Sequence, residues 1–144
     1  MIAPEVPNPL LTLFGAGHAG VLVTLKRDGR PQLSNVTHAF DAPTRTVRVS
    51  VTADRAKTNN LTRDPRASYH VTTADFWRYA VGEGVAELTP VAADPHDATV
   101  DALVALYSSI GGEHDDWDAY RAAMVSDRRL VVSLRLDRVY GQAG

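Results

Sequence analysis

The stretch from Asp54 to Pro65 combines residue types that could bind an anion. Asp54 is of the type that caps a helix N-terminus, and Pro65 requires that helix to end before it. Arg55 and Lys57 then fall in the first turn, where the exposed backbone N–H groups disfavour cations by roughly 0.3–1 kcal/mol each. An anion would remove this conflict, and the free N–H groups, the Thr58 hydroxyl and the two cations together suit a phosphate. The alternative is a solvated, basic turn between two strands.

The composition of the whole chain limits the partners that such a site could serve. The 144 residues are 44% hydrophobic, which is enough for one sizeable core, so we predict a single domain over residues 1–144. The net charge of −2 argues against general nucleic-acid binding but leaves room for a local basic patch. The absence of cysteine excludes disulfides and thiolate metal sites, and Met1–Glu5 does not begin an export signal. No apolar stretch approaches the length of a membrane span, so we expect a cytoplasmic protein.

Alternating apolar and polar residues predict a mainly β protein with inserted helices. The alternation is clearest from Thr46 to Thr52, where three valines share one face and hydroxyls share the other with Arg48. The Asp28-Gly29 pair predicts a tight two-residue hairpin between the first two strands. The predicted strands cover Val21–Lys26, Pro31–Phe40, Thr46–Thr52, Ala67–Thr72, Arg78–Leu88, Leu130–Leu136 and Arg138–Gly141. Six or seven strands with tight antiparallel connections favour a barrel over a parallel, doubly wound sheet.

Helices are predicted at the start of the chain and again near its end. Capping residues, proline and glycine mark their ends, and apolar residues recur at helical spacing between them. The predicted helices run from Asn8 or Pro9 to Gly15, from about Asp94 to Gly111-Gly112, and from about Trp117, capped by Asp115 or Asp116, to Ser126. The letters from Gly15 to Gly20 match a dinucleotide-binding motif, but that motif requires a strand before it and a helix after it. The order is reversed here, so we interpret the match as chance.

Small residues occupy alternate positions of the long strand that begins at Arg78. They are Ala80, Gly82, Gly84 and Ala86. The space beside them would be filled by a neighbouring strand or by a flat ring, and packing is the commoner explanation. Trp77 and Tyr79, just before this run, could stack on a base or flank a flat cofactor, but two aromatic residues without a wide basic face are a weak nucleic-acid signal.

Sequence motifs for metal binding, nucleoside triphosphate binding and serine hydrolase catalysis are absent from the chain. The five histidines form no H-x-x-x-H pair, so we predict no metal site. Neither a P-loop nor a G-x-S-x-G nucleophile elbow is present, which argues against nucleoside triphosphate binding and against one class of hydrolase. No side chain is singled out as a catalytic acid or base.

Several segments together resemble the pyridoxamine-phosphate-oxidase-like split-barrel family, specifically its deazaflavin-dependent branch. The resemblance rests on Arg30–Val36, Arg55–Leu61, Asp64–Ala67, Tyr107–Tyr120 and Val125–Arg129, and it covers nearly the whole chain in order. It implies a six-stranded antiparallel split β-barrel of the FMN-binding type, forming one cofactor-binding domain. It also implies a homodimer with cofactor sites at the subunit interface and coenzyme F420 as the cofactor, which carries a deazaflavin ring, a phosphate and an oligoglutamate tail.

The resemblance also implies roles for individual residues. Arg55, Ala56, Lys57 and Thr58 would hold the phosphate with Asn60 nearby, Asn35 and Ser50 would lie at the ring, Trp77 and Tyr79 would reach the site across the dimer, and Arg129 would help to neutralise the anionic part. Relatives often carry a basic residue at the position of Asn59. The resemblance therefore implies that tail binding here is weaker or uses Arg63 or Arg66.

The function implied is that of an F420-dependent oxidoreductase. It would transfer a hydride from the reduced coenzyme to a conjugated, electron-poor small organic substrate, without nucleic-acid or membrane partners. Two alternatives remain open. One is an FMN-binding flavoprotein, because the same basic pair suits the FMN phosphate. The other is a non-catalytic carrier of the deazaflavin, a tetrapyrrole or another planar metabolite.

Overall fold

The computed structural model describes residues 8–144. Residues 1–7, where the sequence predicts no export signal, lie outside the described part. The helices are α1 (Pro9–Gly15), α2 (Ala56–Arg63), α3 (Ala98–Gly111) and α4 (Trp117–Ser126). The strands are β1 (Ala19–Leu25), β2 (Pro31–Thr37), β3 (Ala39–Asp41), β4 (Thr46–Thr52), β5 (Arg66–Thr72), β6 (Tyr79–Leu88), β7 (Arg129–Arg135) and β8 (Arg138–Gln142). No helix in this range is both long and apolar enough to cross a membrane.

The strands form one curled antiparallel sheet in the order β2-β1-β5-β6-β7-β4-β3, with β8 also beside β6. The long strand β6 joins the two halves, because Tyr79–Val85 pair with β5 and Ala86–Leu88 pair with β7. The prediction of a mainly β split barrel with inserted helices is confirmed. The predicted count of six or seven strands is slightly low, because the described residues form eight when the short β3 and β8 are included.

The interior of the barrel is filled by the apolar faces of its strands. The three valines of β4, Val47, Val49 and Val51, are each 2% exposed or less, as their alternation predicts. Full burial of such a side chain contributes about 1.5–3 kcal/mol, so this face fixes the register of β4. A second apolar cluster lies beneath α3 and α4 and includes Val131 of β7. The outward side of β4 and β7 is therefore partly covered by helices, and its uncovered end is available for a ligand.

The strand predicted from Pro31 to Phe40 is broken at His38, between β2 and β3. The His38 side chain is 1% exposed. Its Nε2 donates to the carbonyl oxygen of Phe14 at 2.7 Å, because a carbonyl can only accept. Its Nδ1 therefore accepts from the Tyr69 hydroxyl at 2.6 Å. These contacts with α1 and β5 come from distant parts of the chain, and they interrupt what looks like one strand.

The β1–β2 connection also differs from the prediction. The Lys26 N–H donates to the Arg30 carbonyl oxygen and the Gly29 N–H donates to the Lys26 carbonyl oxygen, both at 2.9 Å. Gly29 has a φ of 86°, whereas Asp28 is not among the residues with positive φ. A two-residue loop of the predicted kind needs positive φ at both central positions. The loop is instead a turn followed by a left-handed glycine, with three residues between the paired ends.

The small residues of β6 are explained by packing. A Cβ atom at Gly82 would overlap the side chain of Leu136, and one at Gly84 would overlap the carbonyl oxygen of Arg135. The neighbouring end of β7 therefore occupies the space that a flat ring could have used.

Of the predicted starts of α1, α3 and α4, two are confirmed and one is wrong. Asn8 caps α1 and Asp116 caps α4, each accepting a backbone N–H with its side chain. The start near Asp94 is wrong, because α3 begins at Ala98 and its cap is Asp97, which accepts the Val100 N–H at 2.8 Å.

Candidate functional site

The candidate site is built around the N-terminus of α2, which has no side-chain cap. The helix begins at Ala56 with Arg55 as the N-cap residue, and its first turn contains no acidic residue. The prediction that Asp54 caps this helix is therefore wrong, and Arg55 lies just before the first turn rather than in it. The first helical hydrogen bond runs from the Asn59 N–H to the Arg55 carbonyl oxygen at 3.1 Å. The N–H groups ahead of it are those that a helix N-terminus presents to a ligand.

Three cationic side chains, those of Arg55, Lys57 and Arg129, lie close together at the N-terminus of α2, which we call the α2 corner. The half-buried Lys57 has its pKa lowered, first by burial and then by the positive charges of Arg55 and Arg129. Within residues 8–144, none of these three side chains makes an ion pair. The corner therefore holds mutually repelling charges, and an anion placed among them would be stabilised.

The Asp54 carboxylate, next to Arg55 in the chain, makes no ion pair within residues 8–144. Asp54 is exposed, and its pKa is lowered mainly by the neighbouring Thr52 hydroxyl and its own backbone N–H, and less by Arg55 and Arg128. The Thr52 hydroxyl is buried and lies beside the Asp54 carboxylate, with no other hydrogen-bond partner in the described part of the chain.

Arg129 ties the end of β4 to this corner. It lies opposite Thr52 in the β4–β7 ladder, and its guanidinium donates to the Ser50 hydroxyl oxygen at 3.1 Å. The preceding residue, Arg128, has a φ of 53°, and its carbonyl oxygen accepts the Ala53 N–H at 2.9 Å. This left-handed residue turns the chain from α4 into β7 and so places Arg129. The sequence analysis missed Arg128, and no local pattern marks it.

Two predicted residues of α2 use their side chains within the fold. The Thr58 hydroxyl donates to the Thr52 carbonyl oxygen at 2.7 Å, which leaves its backbone N–H as the donor to a ligand. Asn60 is 7% exposed, and its amide donates to the Thr24 hydroxyl at 3.1 Å. Its carbonyl oxygen accepts from Arg63 at 3.3 Å. Asn60 therefore fastens α2 to β1.

Trp77 and Tyr79 lie at the far end of β5 from α2. The helix leads into the start of β5, whereas these residues follow its end, and seven residues of strand span about 20 Å. Asn35 lies on β2 opposite Val21 and has an exposed side chain. A single chain therefore brings together Ser50, Arg55, Ala56, Lys57, Thr58 and Arg129, and it leaves Trp77 and Tyr79 apart from them.

The loop that carries Trp77 is stabilised by hydrogen bonds within the loop. The Asp75 carboxylate accepts from the Thr73 hydroxyl and from the Trp77 N–H, the latter at 3.1 Å. Phe76 has a φ of 72°, which is costly for a bulky residue and persists only when its surroundings impose it. The side chains of Phe76 and Trp77 are 78% and 77% exposed. The loop therefore presents two aromatic rings away from its own chain, and the sequence analysis missed Phe76.

Asn35 and Tyr79 share the outward face of the β2-β1-β5-β6-β8 half of the sheet. Cross-strand partners lie on the same face of a sheet. Asn35, Val21, His70, Val81 and Tyr140 follow one another in register across the five strands. The exposed apolar side chains of this outer face are Leu33, Tyr79, Val85 and Tyr140. Such a patch on a folded protein is typical of an interaction surface.

Comparisons with known proteins agree with this architecture. An F420 reductase of known structure is 25% identical, with a TM-score of 0.71, over 94% of this chain and 98% of that one. The conserved hypothetical protein Rv2991 from Mycobacterium tuberculosis is 22% identical, with a TM-score of 0.73, over 96% of this chain and 85% of that one. A putative pyridoxamine 5'-phosphate oxidase from Listeria innocua is 15% identical, with a TM-score of 0.66, over 93% and 95% of the two chains.

The two structures under 25% identity support the fold alone. The sequence profile described as pyridoxamine 5'-phosphate oxidase matches residues 10–143, which is nearly the whole chain. With its split barrel and this match, the chain belongs to the pyridoxamine 5'-phosphate oxidase family.

Proposed function

We propose that this protein is a homodimeric oxidoreductase that binds coenzyme F420 and reduces a conjugated, electron-poor small organic substrate. The observation that carries the proposal is the α2 corner, where Arg55, Lys57 and Arg129 surround an uncapped helix N-terminus. The likeness to an F420 reductase at 25% identity favours the deazaflavin among the phosphate-bearing cofactors of this fold. The coenzyme, when bound, would supply the hydride.

The residues at the corner fit a phosphate group. The backbone N–H groups of Ala56, Lys57 and Thr58 are donors at a positive helix end, and Lys57 and Arg55 add charge. Burial and, after it, the positive charges of Arg55 and Arg129 lower the pKa of Lys57, and a phosphate would offset the second of these causes.

Ser50 is suited to a donor role toward the ring. Its oxygen already accepts from Arg129, so its own O–H remains available to donate to an acceptor in the ligand. Arg129 thereby orients Ser50 and adds positive charge at the same time. We propose that the protein contributes binding, orientation and exclusion of water.

The proposed dimer accounts for Asn35, Trp77 and Tyr79. These residues lie on or beside the exposed outer face, and Trp77 is too far from the α2 corner of its own chain to reach it. A second copy packed on the outer face would cover Leu33, Val85 and Tyr140 and could bring the aromatic loop to the site of its partner. Sedimentation analysis tests this, and a monomer at micromolar concentration would contradict the proposed dimer.

A binding titration tests the proposal at the corner. The purified protein is titrated with oxidised and reduced coenzyme F420 and followed by fluorescence. We expect micromolar or tighter binding, and we expect Lys57→Ala to weaken it by about 1.5–3 kcal/mol, as for loss of a charge-assisted contact. Arg30→Ala, which removes an exposed cation from the β1–β2 hairpin, is the control and should leave the affinity nearly unchanged. No spectral change with either form of the coenzyme would contradict the proposal.

FMN is the second candidate because the same corner fits its phosphate, and the family profile is that of a flavin-type oxidase. Parallel titrations with FMN and the deazaflavin separate the two. Tighter binding of FMN, or yellow flavin that copurifies with the protein, would favour the flavoprotein. Tight deazaflavin binding without turnover of quinones and enones would favour a carrier.

A further inference from the structure

An open cleft of about 990 Å³ lies between α1, the β3–β4 turn and the β7–β8 turn, and no role assigned so far uses it. Ligand pockets in proteins have volumes of roughly 300–1,000 Å³. The cleft lies beside Arg45, just before β4, whereas the α2 corner follows the other end of that strand. The seven residues of β4 span about 20 Å, so the cleft and the α2 corner are separate places on the molecule.

Apolar side chains line much of this cleft. Leu136 is 1% exposed and belongs to the barrel core. The half-buried Phe40 packs against Phe14, with a distance of 5.6 Å between the ring centroids. Leu11 of α1 and Pro43 of the β3–β4 turn also line the cleft. The apolar body of a ligand could therefore lie against side chains that the fold already holds in place.

The charged residues of the cleft are two arginines and one aspartate, namely Arg45, Arg135 and Asp137. None of the three makes an ion pair within residues 8–144. The two arginines lie on adjoining segments, because Arg135 is opposite Thr46 in the β4–β7 ladder and the Arg45 carbonyl oxygen accepts the Leu136 N–H at 2.9 Å. The cleft therefore combines a net positive charge with an apolar surface.

Arg45 adopts a backbone conformation that suits other residue types better. Its φ is 54°, in the left-handed region where glycine and asparagine fit with less strain. Its N–H donates to the Ala42 carbonyl oxygen at 3.2 Å and closes the turn, but this contact needs no arginine side chain. Strained backbone of this kind is common at ligand-binding positions. The turn alone therefore does not explain an arginine at position 45.

We propose that this cleft binds a small amphipathic anion, in which an apolar body carries a carboxylate or a phosphate. The planar guanidinium groups of Arg45 and Arg135 match the oxygen atoms of either anion, and the apolar lining matches the body. The site is additional to the α2 corner and does not rest on the proposed function.

The test compares ligands that share one tail and differ in the head group. The full-length protein is titrated by calorimetry with decanoate, decyl phosphate, decanamide and decylamine, each below its micelle concentration. We expect at least one of the two anions to bind with a dissociation constant below about 1 mM, and the tighter of the two identifies the preferred head group. Decanamide should bind about tenfold more weakly and decylamine more weakly still, because neither can accept a charge-assisted hydrogen bond from arginine through an anionic oxygen.

Variants of the two arginines test the charge of the cleft. Arg45→Gly places a residue that suits the positive φ, so it should keep the melting temperature while weakening the anion about tenfold. Arg135→Ala, at an exposed strand position, should weaken the anion by a similar factor. Arg48→Ala is the matched control, because it removes an exposed cation of β4 that does not line the cleft, and it should preserve the affinity.

A filling variant tests the cavity with both arginines retained. Thr12→Trp adds a large side chain at an exposed position of α1 that lines the cleft, and it should abolish anion binding. Equal affinities for the four head groups, no binding of either anion, or unchanged affinity in both arginine variants would overturn the assignment. Anion binding only after removal of residues 1–7 would also overturn it, because the cleft would then belong to the chain's own N-terminal segment. Failure of coenzyme F420 to bind would leave this proposal standing.

Discussion

The α2 corner and the His38 network lie in different parts of the barrel, and they differ in whether their polar groups find partners within the protein. At His38, Nε2 donates to the Phe14 carbonyl oxygen and Nδ1 accepts from Tyr69. At the corner, Lys57 lies near two other cations, and none of the three makes an ion pair within residues 8–144. The network is complete without a ligand, and its role is to hold α1 to the sheet. The corner is incomplete, and this difference is the physical reason to look for a ligand at the corner.

The electrostatics follow the same division. Burial lowers the pKa of His38 and raises the pKa of Tyr69, so both groups stay neutral inside the barrel. The pKa of Lys57 is lowered by burial and by like charges together. In the His38 network, burial keeps the imidazole and the phenol uncharged. At the α2 corner, three cationic side chains lie close together at a surface that solvent and ligands can reach.

The largest expected effect is that of His38→Ala on stability. The variant leaves the Tyr69 hydroxyl and the Phe14 carbonyl without partners and opens a cavity. We expect a loss of about 3–5 kcal/mol in the free energy of unfolding, measured by urea denaturation. His96→Ala, at an exposed histidine, is the control and should cost less than about 0.5 kcal/mol. A change of less than about 1 kcal/mol at His38 would show that the network is not the structural element described here.

A smaller effect is expected from pH. Because the pKa of folded His38 lies below its ordinary value of 6.5, the unfolded chain binds the proton more readily than the folded one. The stability that His38 contributes is therefore present above pH 6.5 and is lost as the pH falls below it, at up to about 1.4 kcal/mol per pH unit. Urea denaturation between pH 7.5 and 5.5 measures the slope. The histidines that face the network are His38 itself and His18, whose charge lowers the pKa of His38.

His38→Gln removes the titrating group and should flatten that slope. His18→Gln keeps His38 and should leave most of the slope in place. An unchanged slope in His38→Gln would assign the pH dependence to other groups.

The smallest expected effect is that of Asp54→Asn at the corner. Since Asp54 does not cap α2, its neutralisation should leave the free energy of unfolding within about 0.5 kcal/mol. Removing a negative charge near Arg55 and Arg128 should tighten binding of a phosphate ligand by about 0.2–1 kcal/mol. Denaturation and a coenzyme titration check the two parts. Weaker binding of the phosphate ligand by Asp54→Asn would contradict the inference that the Asp54 carboxylate only reduces the positive charge of the site.

Sequence patterns predicted the parts of the fold that depend on residues close together in the chain, such as strand alternation and helix ends. The strand Thr46–Thr52 has the predicted limits because its valines alternate without interruption. The first helix lies where Asn8 and Gly15 place it. The sequence also indicated the cations of the corner, because Arg55 and Lys57 conflict with a helix start in any fold that forms one there.

The remaining features depend on contacts between distant residues. The break at His38 follows from Phe14 and Tyr69, which a local pattern cannot connect. Asp54 is of a residue type that commonly caps helices. Because α2 begins at Ala56, the N-cap residue is Arg55 and not Asp54. The contact of Arg129 with Ser50 requires the β4–β7 register across 79 residues of sequence, and it was not predicted; the resemblance to a family implied only that each residue belongs to the site.

A crystal structure grown with excess coenzyme F420 tests the central claim most directly. We predict that its phosphate will lie within hydrogen-bond distance of the Ala56 and Lys57 N–H groups and of the Lys57 ammonium group. A corner filled only by solvent, or by the Asp54 carboxylate, would contradict the claim that a ligand's phosphate completes this site.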